Sequence, residues 1–108
     1  MGNPSHVKLY SMLLAFLQER GHSLLESGTS ERGLSVQDTK EFLELLLTNH
    51  VSLLGIELWR KSNSRYSLKG QEAWVPVHTN AQDTHEDALH YLGTIGVGPY
   101  DVLTVQFG

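Results

Sequence analysis

The sequence predicts an α+β fold: N-terminal helices followed by a small, mainly antiparallel sheet, with one further helix before the last strand. Three observations carry this. Apolar residues recur at helical spacing through the first half of the chain. The stretch Val51 to Arg60 then switches to strand-type alternation. After it come short extended runs divided by turn residues, with one more helical pattern among them. Early helices followed by hairpin strands suggest an antiparallel or mixed sheet with helices on one face. At 108 residues the chain is read as one domain, residues 1–108, long enough to bury a single core.

Helix one is expected over 4–20. Asn3 and Pro4 form a cap and a first helical residue. Leu9, Met12, Leu13, Phe16 and Leu17 then trace one apolar face, and Gly21 stops it. His22 to Gly33 is a polar connector whose Leu24 and Leu25 are expected to dip into the core. Ser35 and Asp38 form a capping box for a second helix over 36–48. Its inner face is Thr39, Phe42, Leu43, Leu46, Leu47 and His50, widened by Leu45. Gln37, Lys40, Glu41 and Glu44 face water. Asn49 is expected to take the left-handed turn at its end.

Val51 to Lys61 is the anchor strand. Its alternation sets Leu54, Ile56 and Leu58 toward the helices, and Leu53, Gly55, Glu57 and Trp59 on the opposite face. Lys61 to Ser64 is a turn, and Arg65 to Leu68 returns as a hairpin arm. Trp74 to Val77 is extended, and Pro76 confines it to an edge or an irregular path. After a loop from His78 to Asp83, either Asp83 or Thr84 caps a third helix. Ala88, Leu89, Tyr91 and Leu92 line its inner face, and Gly93 ends it. Tyr100 to Phe107 is the last strand, with Leu103, Val105 and Phe107 on one face.

Composition excludes several chemistries. With no cysteine there is no disulfide, thiolate nucleophile or cysteine-based zinc site. A formal charge of −4 argues against non-specific nucleic-acid binding. It suits a basic protein partner, and it also serves solubility alone. No stretch is long and apolar enough to span a membrane. Met12 to Leu17 lacks the cleavage signal of a leader. Met1-Gly2 lacks the hydroxyl residue that myristoylation needs, having His6 instead. The expected location is cytoplasmic.

His85 and His90 lie five apart, about 140° around a helix, and so cannot share one metal. The glycine-rich run from Gly93 to Pro99 leads into a strand and carries no lysine for a phosphate. No Gly-x-Ser-x-Gly elbow is present. No catalytic, cofactor or metal residue is assigned. One constellation remains as a candidate partner-binding site: Glu57, Trp59, Tyr66, Glu72 and Trp74. It places acids among aromatics of the kind enriched at interface hot spots. The competing reading puts both tryptophans in the core.

Leu24-Leu25-Glu26-Ser27-Gly28, Gly33 to Asp38, Leu53 to Trp59, Tyr66, Glu72 to Trp74, Ala88 to Tyr91 and Tyr100 to Val105 form an ordered set of short motifs. From Leu24 to Phe107 this resembles the family of small bacterial immunity proteins numbered forty among polymorphic-toxin systems. The chain departs from that family at Gly55-Ile56-Glu57, where a Gly-Gly-Asp run is usual, and at Gln71-Glu72-Ala73-Trp74. The resemblance implies a non-enzymatic protein that neutralises a cognate toxin by covering or blocking its active site. Two alternatives are a small adaptor or homo-oligomeric structural protein, and a small enzyme using histidine and carboxylate.

Overall fold

The computed structural model describes residues 4–108; the expected cap at Asn3 lies outside them. Three helices, α1 (Pro4–Arg20), α2 (Val36–Thr48) and α3 (Ala81–Thr94), accompany five strands. These are β1 (His22–Ser23), β2 (Arg32–Gly33), β3 (Leu53–Ser62), β4 (Arg65–Leu68) and β5 (Val102–Phe107). The main sheet has the order β4-β3-β5 and is antiparallel throughout. A two-strand ribbon, β1 with β2, folds up within the connector after α1. The fold class is α+β.

The main core forms where the three helices meet one face of the sheet. Leu13 of α1, Phe42, Leu43 and Leu46 of α2, and Ala88 and Leu92 of α3 pack on Ile56, Leu58, Leu103 and Val105. Phe42 lies between the rings of Phe16 and Phe107, at 5.4 and 5.3 Å between centroids. The expected capping box is half made: Ser35 Oγ accepts the Asp38 amide at 3.1 Å, while the Asp38 carboxylate accepts from Arg20 at 2.9 Å.

The strand β3 departs from simple alternation. Leu53 pairs with Phe107 and Gly55 with Gln106, so Leu54 is an extra residue in a bulge. Leu54 is therefore 52% exposed, not turned to the helices, while Leu53 takes the place beside the core. Beyond the bulge the expected phase holds. Ile56 and Leu58 face the helices, and Gly55, Glu57 and Trp59 face the other way. Both edges of β3 are hydrogen-bonded. Opposite β5 it meets β4, then the Lys69 amide on Leu58, then a two-bond bridge between Ile56 and Trp74. The segment after Trp74 is irregular, as Pro76 requires, with Val75 and Val77 exposed.

Local signals were displaced at several ends. The left-handed residue after α2 is His50, φ 57°, with Asn49 at −100°. Asn49 instead turns its side-chain amide back onto the Leu45 carbonyl. His50 is consequently exposed rather than on the inner face. The third helix starts at Ala81 because Asn80, not Asp83 or Thr84, accepts the Asp83 amide, and it runs past Gly93 to Thr94. The β3–β4 turn tightens to Asn63 and Ser64, with Asn63 left-handed at φ 58°. The last strand begins at Val102, two residues after Tyr100. Met12 and Leu25 are exposed, whereas Leu24 is buried.

The bulge assigns unequal roles to two leucines four residues apart. Leu54→Ser should change stability by no more than about 0.5 kcal/mol. Leu58→Ala should cost about 2–5 kcal/mol. Urea unfolding of both variants measures the difference; equal losses would mean that β3 has no bulge at Leu54.

Candidate functional site

The helices cover one face of the main sheet and leave the other open. Along β3 that open face carries Gly55, Glu57, Trp59 and Lys61. Across it on β4 stand Tyr66 and Leu68, and on β5 Val102, Thr104 and Gln106. Trp59 sits in the middle and is only 7% exposed, because the connector folds over it. Leu24, Val102, Trp59 and half-buried Tyr66 form a second, smaller apolar cluster. The indole N–H of Trp59 donates to Thr104 Oγ at 3.0 Å, which satisfies the buried polar end of the ring. Gly33 is needed here, since a Cβ at that position would lie 2.4 Å from a Val102 methyl.

Polar groups occupy the two ends of this face. At one end the Gln106 side-chain amide donates to Glu31 and Glu57, both at 2.9 Å. Partial burial, with the nearby Glu31 charge adding to it, pushes the Glu57 carboxyl above its ordinary value. At the other end Lys61 Nζ lies over Tyr66 and Tyr100, 5.7 and 5.9 Å from the ring centroids. Tyr100 is 72% exposed. An acidic end, a covered tryptophan and a wet cation–aromatic end thus share one surface.

The five residues singled out from the sequence do not form a single patch. Glu57, Trp59 and Tyr66 share the open face. Trp74 and Glu72 belong to the helix side. Trp74 is 8% exposed in the main core, and its indole N–H donates to Asp87 at 3.0 Å. Glu72 accepts both Nε and Nη2 of Arg60, whose Nη1 reaches Asp101 at 2.8 Å. Both tryptophans are therefore core residues. The period-two pattern put Trp59 on the correct face, but it could not show that Leu24, distant in sequence, covers it.

Arg60 ties the turn at Gly70–Glu72 to the loop before β5. Burial alone would raise the Asp101 carboxyl. The amides of Gly98 and Lys61 and the Arg60 charge outweigh it and hold the carboxyl below its usual range. Tyr91 donates to the Glu72 carbonyl, and burial beside the Glu72 charge pushes its hydroxyl up to about 12. This network is structural: its acids are spent on an arginine and on backbone amides.

A separate concavity of about 240 Å³ lies between the end of α2, the start of β3 and the start of α3. Leu46, Val51, Ser52, His78, Thr84 and His85 are among its walls. His85 is buried, and its Nε2 is 3.4 Å from Glu44. Sequence reading missed this pair because it treated Glu44 as a solvated helix residue and His85 as part of a polar helix start. Among the described residues no group of three or more histidines and acids is gathered for a metal.

Two measurements test the open face. Trp59→Ala should cost about 3–5 kcal/mol by denaturant unfolding; an unchanged midpoint would return Trp59 to the surface. Glu57 has a raised folded pKa, so its contribution to stability is greatest below the unfolded pKa and is lost as pH rises through the folded value. Glu57→Gln should therefore melt higher than the parent near pH 7, and the gap should close toward pH 4. A gap that widens on acidification would contradict the assignment.

Comparison of the chain with protein-family models, with curated proteins and with solved structures finds no match.

Proposed function

We propose that this chain is a protein-binding module of the immunity type, which neutralises a cognate toxin in the cytoplasm of the bacterial cell that makes it. The observation that carries the reading is the sheet face left open by the helices. It carries a half-buried acidic end at Glu31 and Glu57 and an aromatic–cationic end where half-buried Tyr66 meets exposed Lys61 and Tyr100. Exposed aromatics supply contact area at low entropy cost, and the acids suit a basic partner. Neutralisation by occlusion asks only for a rigid face and a tight complex. The resemblance of Leu24 to Phe107 to immunity proteins supports the same reading. Here the recognition residues are Glu57 and Tyr66 with Lys61 and Tyr100, while Trp59 is covered by Leu24 at the centre of the face and Trp74 lies in the helix-side core.

A second reading has its own observation. His85 meets Glu44 beside the concavity, the arrangement a small acid–base enzyme would use. Following the His85 ring by NMR while small carboxylates and phosphate esters are added tests it. Unmoved ring signals across the set would remove it.

The main reading is tested with the product of the neighbouring toxin gene. Glu57→Lys and Tyr100→Ala should each weaken capture of that toxin by about tenfold or more, with both variants still folded by circular dichroism. Full protection of cells by both variants would sink the proposed face. Failure of the parent chain to bind or protect would sink the toxin reading itself.

A further inference from the structure

The connector lies on the sheet face as a strap held there by side-chain contacts. From His22 to Gly33 its backbone hydrogen bonds stay within the connector, in the β1–β2 ribbon and in the turn from Leu24 to Thr29. Among the described residues its first backbone bonds to the main sheet are those of Leu34, which exchanges two with Leu103 at 2.7 and 2.8 Å. Across the face itself Leu24 closes over Trp59 and Val102, Gly33 lies close against Val102, and Glu31 accepts from Gln106. A segment with so few ties opens at lower free energy than the core beneath it.

The polar tie sets two acids against each other. The side-chain amide of Gln106 makes its two short bonds to carboxylates, Glu31 of the connector and Glu57 of β3, both at 2.9 Å. Closing the strap therefore brings like charges from separate elements onto one neutral donor. Few other charges face Glu57. Its same-face neighbours on β3 are Gly55 and Trp59, and Thr104 and Gln106 stand across from it on β5. On the β4 side the ladder starts only at Trp59, opposite Leu68. Of the connector's remaining charged or titratable groups, Arg32 turns Nη2 to the Gly21 and Gln18 carbonyls, and His22 and Glu26 are exposed. Partial burial first, and the Glu31 charge second, hold the Glu57 carboxyl above its ordinary value.

We infer that the connector is a pH-dependent strap, closed over Trp59 while Glu57 is protonated and released as Glu57 ionises. Release parts the two acids and returns Glu57 to water. It also uncovers Trp59, Val102 and Tyr66 as one apolar patch on the sheet face. The direction follows from linkage. A carboxyl whose value is raised in the closed form favours closure fully below its ordinary range, and that contribution is lost as pH rises through the raised value. The two ends of the strap stay fixed, at Gly21 on Leu17 and at Leu34 on Leu103. The inference concerns access to the face and holds whatever partner the face takes.

Hydrogen exchange of the full chain, labelled with ¹⁵N and followed by NMR from pH 4 to pH 7, tests it once intrinsic exchange rates are divided out. The reporter beneath the strap is the Trp59 indole N–H, bonded to Thr104. The reporter of the main core is the amide of buried Leu46 in α2. The Trp59 indole should be about tenfold or more less protected than Leu46. Its protection should fall by at least about twofold between pH 4 and pH 7. In Glu57→Gln that fall should vanish, and in Glu31→Gln it should shrink, with both variants still folded by circular dichroism. Equal protection of the Trp59 indole and Leu46 at every pH would overturn the inference, because Trp59 would then be reached only by global unfolding. So would an unaltered pH slope in Glu57→Gln, or protection of the Trp59 indole that stays level or rises with pH in the parent chain.

Discussion

The phase of β3 is the constraint on which the rest of the structure depends. Side chains alternate across a strand, so a slip of one residue exchanges its two faces. The bulge at Leu54 absorbs one residue, which lets Leu53, Ile56 and Leu58 all serve the helix-side core. The same phase puts Trp59 under Leu24 and leaves Arg60 on the helix side, where it reaches Glu72 and Asp101. Removing the bulge without other change would expose Ile56 and Leu58 and bury Glu57. Each buried leucine or isoleucine is worth about 1.5–3 kcal/mol, so the slipped register cannot compete.

A sheet covered on one face only has to protect its other face by other means. Here the connector does so, folding through the β1–β2 ribbon to lay Leu24 over Trp59 and Val102. The protection is partial. It closes the centre and leaves the two ends wet, where Glu31 and Glu57 meet Gln106 and where Lys61 lies between two tyrosines. Such half-exposed ion and cation–aromatic contacts contribute little to stability, about 1 kcal/mol or less each. Their proposed use as recognition groups would therefore take little from the fold.

Much of this architecture was legible in the residues. The 3.6-residue period and the Ser35–Asp38 box placed α1 and α2 at their observed bounds. Period-two alternation placed Leu103, Val105 and Phe107 together. What the chain did not reveal depended on contacts distant in sequence or on competition between neighbours. Asn80 outcompeted Asp83 as a cap because its side chain reaches the Asp83 amide. Asn49 used its side chain on a carbonyl and passed the left-handed turn to His50. The bulge at Leu54 leaves no mark in a hydrophobic run, where either phase reads as apolar. The candidate site was half legible. Glu57 and Tyr66 belong to one face, whereas burial of Trp59 by Leu24 and of Trp74 by α3 required the tertiary structure.

The proposed recognition surface is the helix-free sheet face, with Trp59 covered by Leu24 at its centre and Trp74 on the helix side. Cross-saturation NMR from an unlabelled toxin partner to the deuterated chain tests this most directly. The account predicts saturation at the amides of Glu57, Lys61, Tyr66, Leu68 and Tyr100, with the Trp74 indole N–H untouched. Saturation centred instead on the concavity around His78 and His85, with the sheet face silent, would contradict it.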